Sequence, residues 1–179
     1  MGDFITSERG PGAPGLHVSN VRLSVLFNVL AVAVMPRART DWELRLARWV
    51  VEGDQCRLGL GMVGFDVSEL GWSESEDVFA TQKRFLLELV DAALNREGWE
   101  HLPSIPGAVE ERLFPLLRQL REMVEQFPRE GLTPPPEYRW PEGPPENGLC
   151  ELHRVYLHET GCLLCNDASY DEPAPHRSP

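Results

Sequence analysis

Cysteine and histidine at short, paired spacings are the residue types here that could do chemistry. In the segment LCELHRVYLHETGCLLCND, Cys150, His153, Cys162 and Cys165 follow the pattern Cys-x2-His, eight residues, then Cys-x2-Cys. Two ligands separated by two residues on a tight turn can aim their donor atoms at one ion. Two such turns joined by a short excursion supply four tetrahedral corners. Thiolate and imidazole together suit Zn²⁺ best. The spacing therefore predicts a structural Cys3His zinc site made by Cys150, His153, Cys162 and Cys165. His158 is a rival to His153, but the 150/153 pair mirrors the 162/165 pair better, which places His158 outside the ligand set. Val155 to Leu157 fits one strand of a hairpin, and Gly161 permits the turn into the second pair.

Competing chemistries fit the same residues less well. Ordinary disulfides would need Cys56 to cross over to this segment and would give His153 no role. A redox Cys-x-x-Cys at 162 and 165 normally opens a helix in a βαβ setting, which the sequence lacks. A catalytic zinc keeps a position open for water and a carboxylate nearby. Glu151 and Glu159 are near in sequence, but four good ligands close the coordination sphere. The zinc-deaminase signature, His-x-Glu followed by Pro-Cys-x-x-Cys, is absent. The spacing is similar to that of small zinc-finger modules in general. That resemblance implies metal binding for this segment and nothing about the rest of the chain.

A metal-folded segment of this size is too short to build its own core, so the larger elements lie upstream. The fold expected is mainly α with minor β: a helical body over 21–127, a proline-rich linker over 128–148, and a zinc-knuckle or zinc-ribbon-like module over 149–166. Residues 1–20 mix Gly, Pro and polar types without period and read as a flexible arm, and 167–179 as a flexible tail. Leu23 to Met35 is the most apolar stretch, and its valines at 25, 29, 32 and 34 lean towards strand. It is shorter than the roughly 20 residues that span a bilayer. A leader ending at Ala31-Val32-Ala33 would be unusually long and Gly/Pro-rich instead of basic at its start, which favours a core element.

Helical periodicity is clearer further on. Asp41 to Glu52 carries Trp42, Leu46, Trp49 and Val50 at helical spacing, with Thr40 or Asp41 as cap. Residues 56–67 look extended and glycine-interrupted. Glu76 to Asn95 has a stripe through Val78/Phe79, Gln82, Phe85/Leu86, Leu89/Val90 and Ala93, and Ser73 with Glu76 fits a capping box. Pro106 to Phe127 repeats the pattern, with a kink or break expected at Pro115. Seven prolines in 128–148 argue for a semi-rigid spacer.

Charge bounds the function. The chain has 179 residues, 17 Lys+Arg against 28 Asp+Glu, and a net charge of −11. Residues 66–100 hold nine acids against Lys83, Arg84 and Arg96, a net of −6, while residues 1–65 are near neutral. Such a balance opposes a phosphate-backbone footprint and docking on anionic lipid. The match of Gly59-Leu60-Gly61-Met62-Val63-Gly64 to G-x-G-x-x-G lacks the strand–turn–helix setting of a dinucleotide site. No nucleophilic triad assembles around Cys56 or His101. The function expected is a non-enzymatic protein-interaction module, such as an adaptor, regulator or immunity-type inhibitor. It would work in a reducing cytoplasm with a partner protein, a basic one if the acidic face is used. A metal- or thiol-dependent enzyme with its site at Cys150–Cys165 is the alternative, and a nucleic-acid-associated regulator the third.

Overall fold

The apolar stretch that the valines assign to a strand is instead a helix, α1 (Asn20–Val34). In a computed structural model, which describes residues 3–7, 15–53, 64–130, 132 and 140–168, α1 runs through the middle of the molecule. From Leu26 to Val34 every residue is buried. A helix that is apolar all round is stable only when enclosed. Here enclosure overrides the β-preference of its valines, because what valine gains from burial does not depend on the backbone it sits on. The Ala31-Val32-Ala33 triplet lies inside this buried helix. At its end Arg37 turns back to donate to the Ala33 carbonyl at 2.8 Å, satisfying a group that the helix leaves open.

Around α1 pack three amphipathic helices, α2 (Asp41–Gly53), α3 (Glu76–Leu94) and α4 (Gly107–Gln126). The start of α2 is a reciprocal capping box. Glu43 N–H donates to Thr40 Oγ1 at 3.4 Å, and Thr40 N–H donates to the Glu43 carboxylate at 2.9 Å. The box expected at Ser73 and Glu76 does not form. Ser73 sits before the helix, its hydroxyl accepts from Ser75 N–H at 3.2 Å, and its N–H donates to Gln82 Oε1 at 2.8 Å. Against the expectation of a break, α4 is one helix with Pro115 inside it. Pro115 and Glu111, the residue whose carbonyl loses its helical donor, both face solvent, so the freed carbonyl is not buried without a partner. The α3–α4 seam is tied by Arg121, which donates to Asp91 at 2.7 Å.

A three-stranded sheet covers one end. Its order is β2-β1-β3, from β1 (Asp3–Thr6), β2 (Leu16–Val18) and β3 (Gly64–Asp66). β1 pairs antiparallel with β2 and parallel with β3, placing Ile5 beside Leu16 and Phe65. The parallel pair needs a long crossover, which α1 and α2 supply. Two of the three strands thus come from residues read as an unstructured arm, and Ile5 is fully buried. Extended structure in 56–67 is realised at β3. Cys56 and Gly59 to Val63 lie outside the described residues.

Beyond Phe127 the chain returns to the body. Trp140 is 6 % exposed and stacks on Trp42 at 6.0 Å, with the Arg45 guanidinium 5.6 Å over its ring. Arg45 donates to the Pro141 carbonyl at 2.7 Å and Arg48 to the Pro144 carbonyl at 3.4 Å, so residues 140–144 lie along α2. Trp140 sits flat against Gly71, where φ is +59° and an added Cβ would overlap the indole ring. A Gly71→Ala chain meets both a left-handed backbone, worth about 1–2 kcal/mol, and that clash. Its stability in urea is expected to fall by more than the backbone penalty alone. Among the described residues no helix is long and apolar enough to cross a membrane.

Candidate metal centre

The four residues singled out by spacing converge. Cys150, His153, Cys162 and Cys165 present ligand atoms that all lie within 4.8 Å of one another, a group that could hold a metal ion. Cys150 Sγ lies 3.8 Å from Cys165 Sγ, and His153 Nδ1 lies 3.8, 3.6 and 3.4 Å from the sulfurs of Cys150, Cys162 and Cys165. A tetrahedral ion with metal–sulfur bonds of about 2.3 Å and a metal–nitrogen bond of about 2.0–2.1 Å has S···S edges of about 3.8 Å and S···N edges of about 3.6 Å. The Cys150–Cys165 separation and the three nitrogen–sulfur separations lie close to those edges, and the whole set stays within 4.8 Å. They are far longer than a disulfide bond of about 2.05 Å, and the three cysteines are free thiols.

Local backbone explains the convergence. Gly148 to Cys150 pairs with Val155 to Leu157 as a hairpin, through Cys150 N–H to Val155 O at 2.8 Å and Leu157 N–H to Gly148 O at 3.0 Å. The turn between them carries His153 and closes at Arg154, whose φ of 58° is left-handed. A second turn, His158 to Gly161, is joined by reciprocal bonds of 3.1 and 3.0 Å and has Gly161 at φ 103°. Immediately after it comes α5 (Leu163–Ala168). Cys162 therefore precedes a short helix and Cys165 lies in its first turn. The Cys-x-x-Cys does open a helix, but in a hairpin-and-helix setting and facing Cys150 and His153.

The two pairs use the same device. Backbone N–H groups of Leu152 and His153 point at Cys150, and those of Leu164 and Cys165 point at Cys162. Donors at two and three residues beyond a cysteine favour its thiolate. At Cys150 burial opposes ionisation, yet these donors and the neighbouring thiols hold it below the usual thiol range. At Cys162 burial dominates and pushes the thiol up to about 12. Burial and the bond to Cys150 also raise Cys165. Burial lowers His153, helped by the nearby His101, which keeps the imidazole neutral and able to ligate. A cation at the centre must then displace thiol protons. Its apparent affinity is expected to rise with pH by at least about tenfold per unit. A chelator competition at two pH values checks this, and a pH-independent affinity would contradict thiolate ligation.

His158 stands apart. It is 7 % exposed, its Nδ1 accepts from the backbone N–H of Thr160 at 3.1 Å, and it lies outside the four-residue group. Burial lowers its pKa, and the Glu52 and Glu159 carboxylates counter that. Glu151 and Glu159, weighed as candidate bases, are exposed.

Spacing alone does not show what surrounds the cluster. Cys150, Val155, Cys162, Leu163 and Leu164 belong to the same buried cluster as the body helices and Trp140. His153 also lines a cavity of about 460 Å³ with Val32, Met35, Arg37, Glu97, Glu100 and His101. Arg37 is ion-paired to Glu97 there, and His101 Nε2 lies 3.6 Å from Glu100. Those residues come from the end of α1 and the turn at Trp99–His101, separated from His153 by more than fifty positions, with no local signature to reveal them.

Fold and site together define a mainly helical chain with a small three-stranded sheet and a C-terminal Cys3His group able to hold a metal ion. No family model matches the chain, and neither a curated protein nor a solved structure matches it.

Proposed function

We propose that the Cys3His group is a structural Zn²⁺ centre and that the chain is a non-enzymatic interaction protein of the adaptor, regulator or inhibitor kind, working in a reducing cytoplasm. One observation carries the metal reading: four donor atoms within 4.8 Å of one another, the three nitrogen–sulfur separations and the Cys150–Cys165 separation near tetrahedral edge lengths, with one imidazole nitrogen and three sulfurs, a set that suits zinc. Three free thiols this close fit a reducing compartment. The zinc staples the hairpin and α5 together, and their apolar residues extend the core of the body. A site with four protein ligands leaves no position for substrate, which favours a structural role over a catalytic one. The net charge of −11 supports a protein partner with basic character over nucleic acid.

The cavity beside His153 favours the second reading, a metal-dependent enzyme, because His101 and Glu100 could act as acid and base there. A cobalt-substituted chain separates the two. The structural reading expects an intense thiolate-to-metal absorption and a four-coordinate spectrum that azide leaves unchanged. An azide-dependent spectrum reveals an open coordination position and overturns it. Cross-linking of the native chain, followed by mass spectrometry, tests the partner reading. Capture of nucleic acid in place of protein would refute it.

A further inference from the structure

The three thiols of the centre are not equally guarded. Cys162 is 5 % exposed and Cys150 9 % exposed, whereas Cys165 is only partly buried. Cys165 is also the one whose sulfur stands 3.8 Å from that of Cys150, across the gap between α5 and the hairpin. Resting on the zinc reading above, we propose that this centre is a peroxide-oxidised site: Cys165 is attacked first, Cys150 resolves it, and the metal leaves.

The chemistry balances without further reagents. The Cys165 thiolate displaces hydroxide from hydrogen peroxide, forming the Cys165 sulfenic acid. The Cys150 thiolate then attacks that sulfur and expels a second hydroxide, closing a Cys150–Cys165 disulfide. Two thiolates lose two electrons, and one peroxide becomes two hydroxides. Only His153 and Cys162 remain as ligands, too few to hold the ion, so one Zn²⁺ is released per disulfide. A dithiol reductant reverses the step.

Geometry selects this pair. Closing the bond to about 2.05 Å draws together two sulfurs that face each other from different elements. The linkage therefore replaces the metal as a cross-link between hairpin and helix. A Cys162–Cys165 bond would lie within one turn at the start of α5 and would leave the hairpin untied.

The test uses the full zinc-loaded chain, hydrogen peroxide, a chromophoric zinc indicator and non-reducing peptide mapping. One zinc released per Cys150–Cys165 disulfide is expected, with reuptake after dithiothreitol. A Cys165→His chain keeps four ligands without the partly buried thiol and is expected to release zinc at least about tenfold more slowly. Where that variant fails to fold, a Cys150→His chain is expected to accumulate a Cys165 sulfenic acid that dimedone traps. Mapping of a Cys162–Cys165 linkage overturns the proposal, as does equally fast release from Cys165→His. A chain purified without zinc refutes the metal reading before peroxide is added. A zinc-loaded chain that resists a peroxide excess sufficient to oxidise free cysteine refutes this inference alone.

Discussion

A Cys162→Ser chain is expected to be purified without metal and to melt at a lower temperature as a whole. Cys162 is the most deeply buried of the four candidate ligands and is followed by Leu163 and Leu164 at 1 % and 0 % exposure. Loss of one thiolate removes the tetrahedral set. Structural zinc contributes about 10–16 kcal/mol to the folding of small zinc-dependent peptides, more than a hairpin and six-residue helix can replace by packing. The buried residues of this segment are continuous with those of α1 and its neighbours. Releasing them exposes part of the common core, so the effect should reach the helices. Helical circular dichroism followed on heating should show one transition, displaced downwards by about 10 °C or more, since each kcal/mol moves a domain of this size by about 2–4 °C. Helices that melt at the temperature of the unsubstituted chain would show that the metal segment is energetically separate.

The second large effect concerns the docking of the segment that precedes the metal ligands. Trp140→Ala is expected to reduce stability by about 3–5 kcal/mol, the usual range for removing a large buried aromatic, while metal binding is retained. The indole fills a slot between Trp42 and Gly71 and receives the Arg45 guanidinium. Trp42 in turn lies tilted against Trp72 at 5.6 Å and Trp72 stacks on Phe127 at 5.6 Å, so removal leaves a cavity at the end of an aromatic row. Chemical denaturation with metal content measured in parallel checks both halves of the expectation. An unchanged midpoint would mean that the segment contributes no stability through this contact.

The contrast between these residues and the rest shows what a sequence can reveal. The metal cluster is legible because its information is local: a two-residue spacing fixes where two donor atoms point, and repetition fixes four. Helices α2, α3 and α4 are legible for a similar reason, since each has one buried face and a period of 3.6. From Leu26 to Val34 helix α1 has no exposed face, so periodicity is silent there and the valines point to the wrong element. Strands β1 and β2 are four and three residues long, too short for alternation to stand out among glycines and prolines. The return of Trp140 to the body depends on Gly71, about seventy positions away, and no local pattern encodes such a pairing. A lone tryptophan within a proline-rich stretch, in EYRWPEG, is the one hint available, because a large apolar ring is costly to leave in water.

Binding at the centre also gives the acid sensitivity a direction. Thiols raised by burial and a histidine lowered by it both resist their charged forms in the metal-free chain. The cation reverses that preference only for the thiols, so protons compete with it there and acid releases it.

X-ray absorption at the zinc edge, on the purified full chain with its metal content determined, distinguishes a closed Cys3His zinc centre from every other arrangement proposed for these residues. One zinc per chain is expected, surrounded by three sulfurs at about 2.3 Å and one nitrogen at about 2.0–2.1 Å. A metal-free chain whose Cys150, Cys162 and Cys165 thiols all titrate, or a zinc bound chiefly by oxygen, would contradict it.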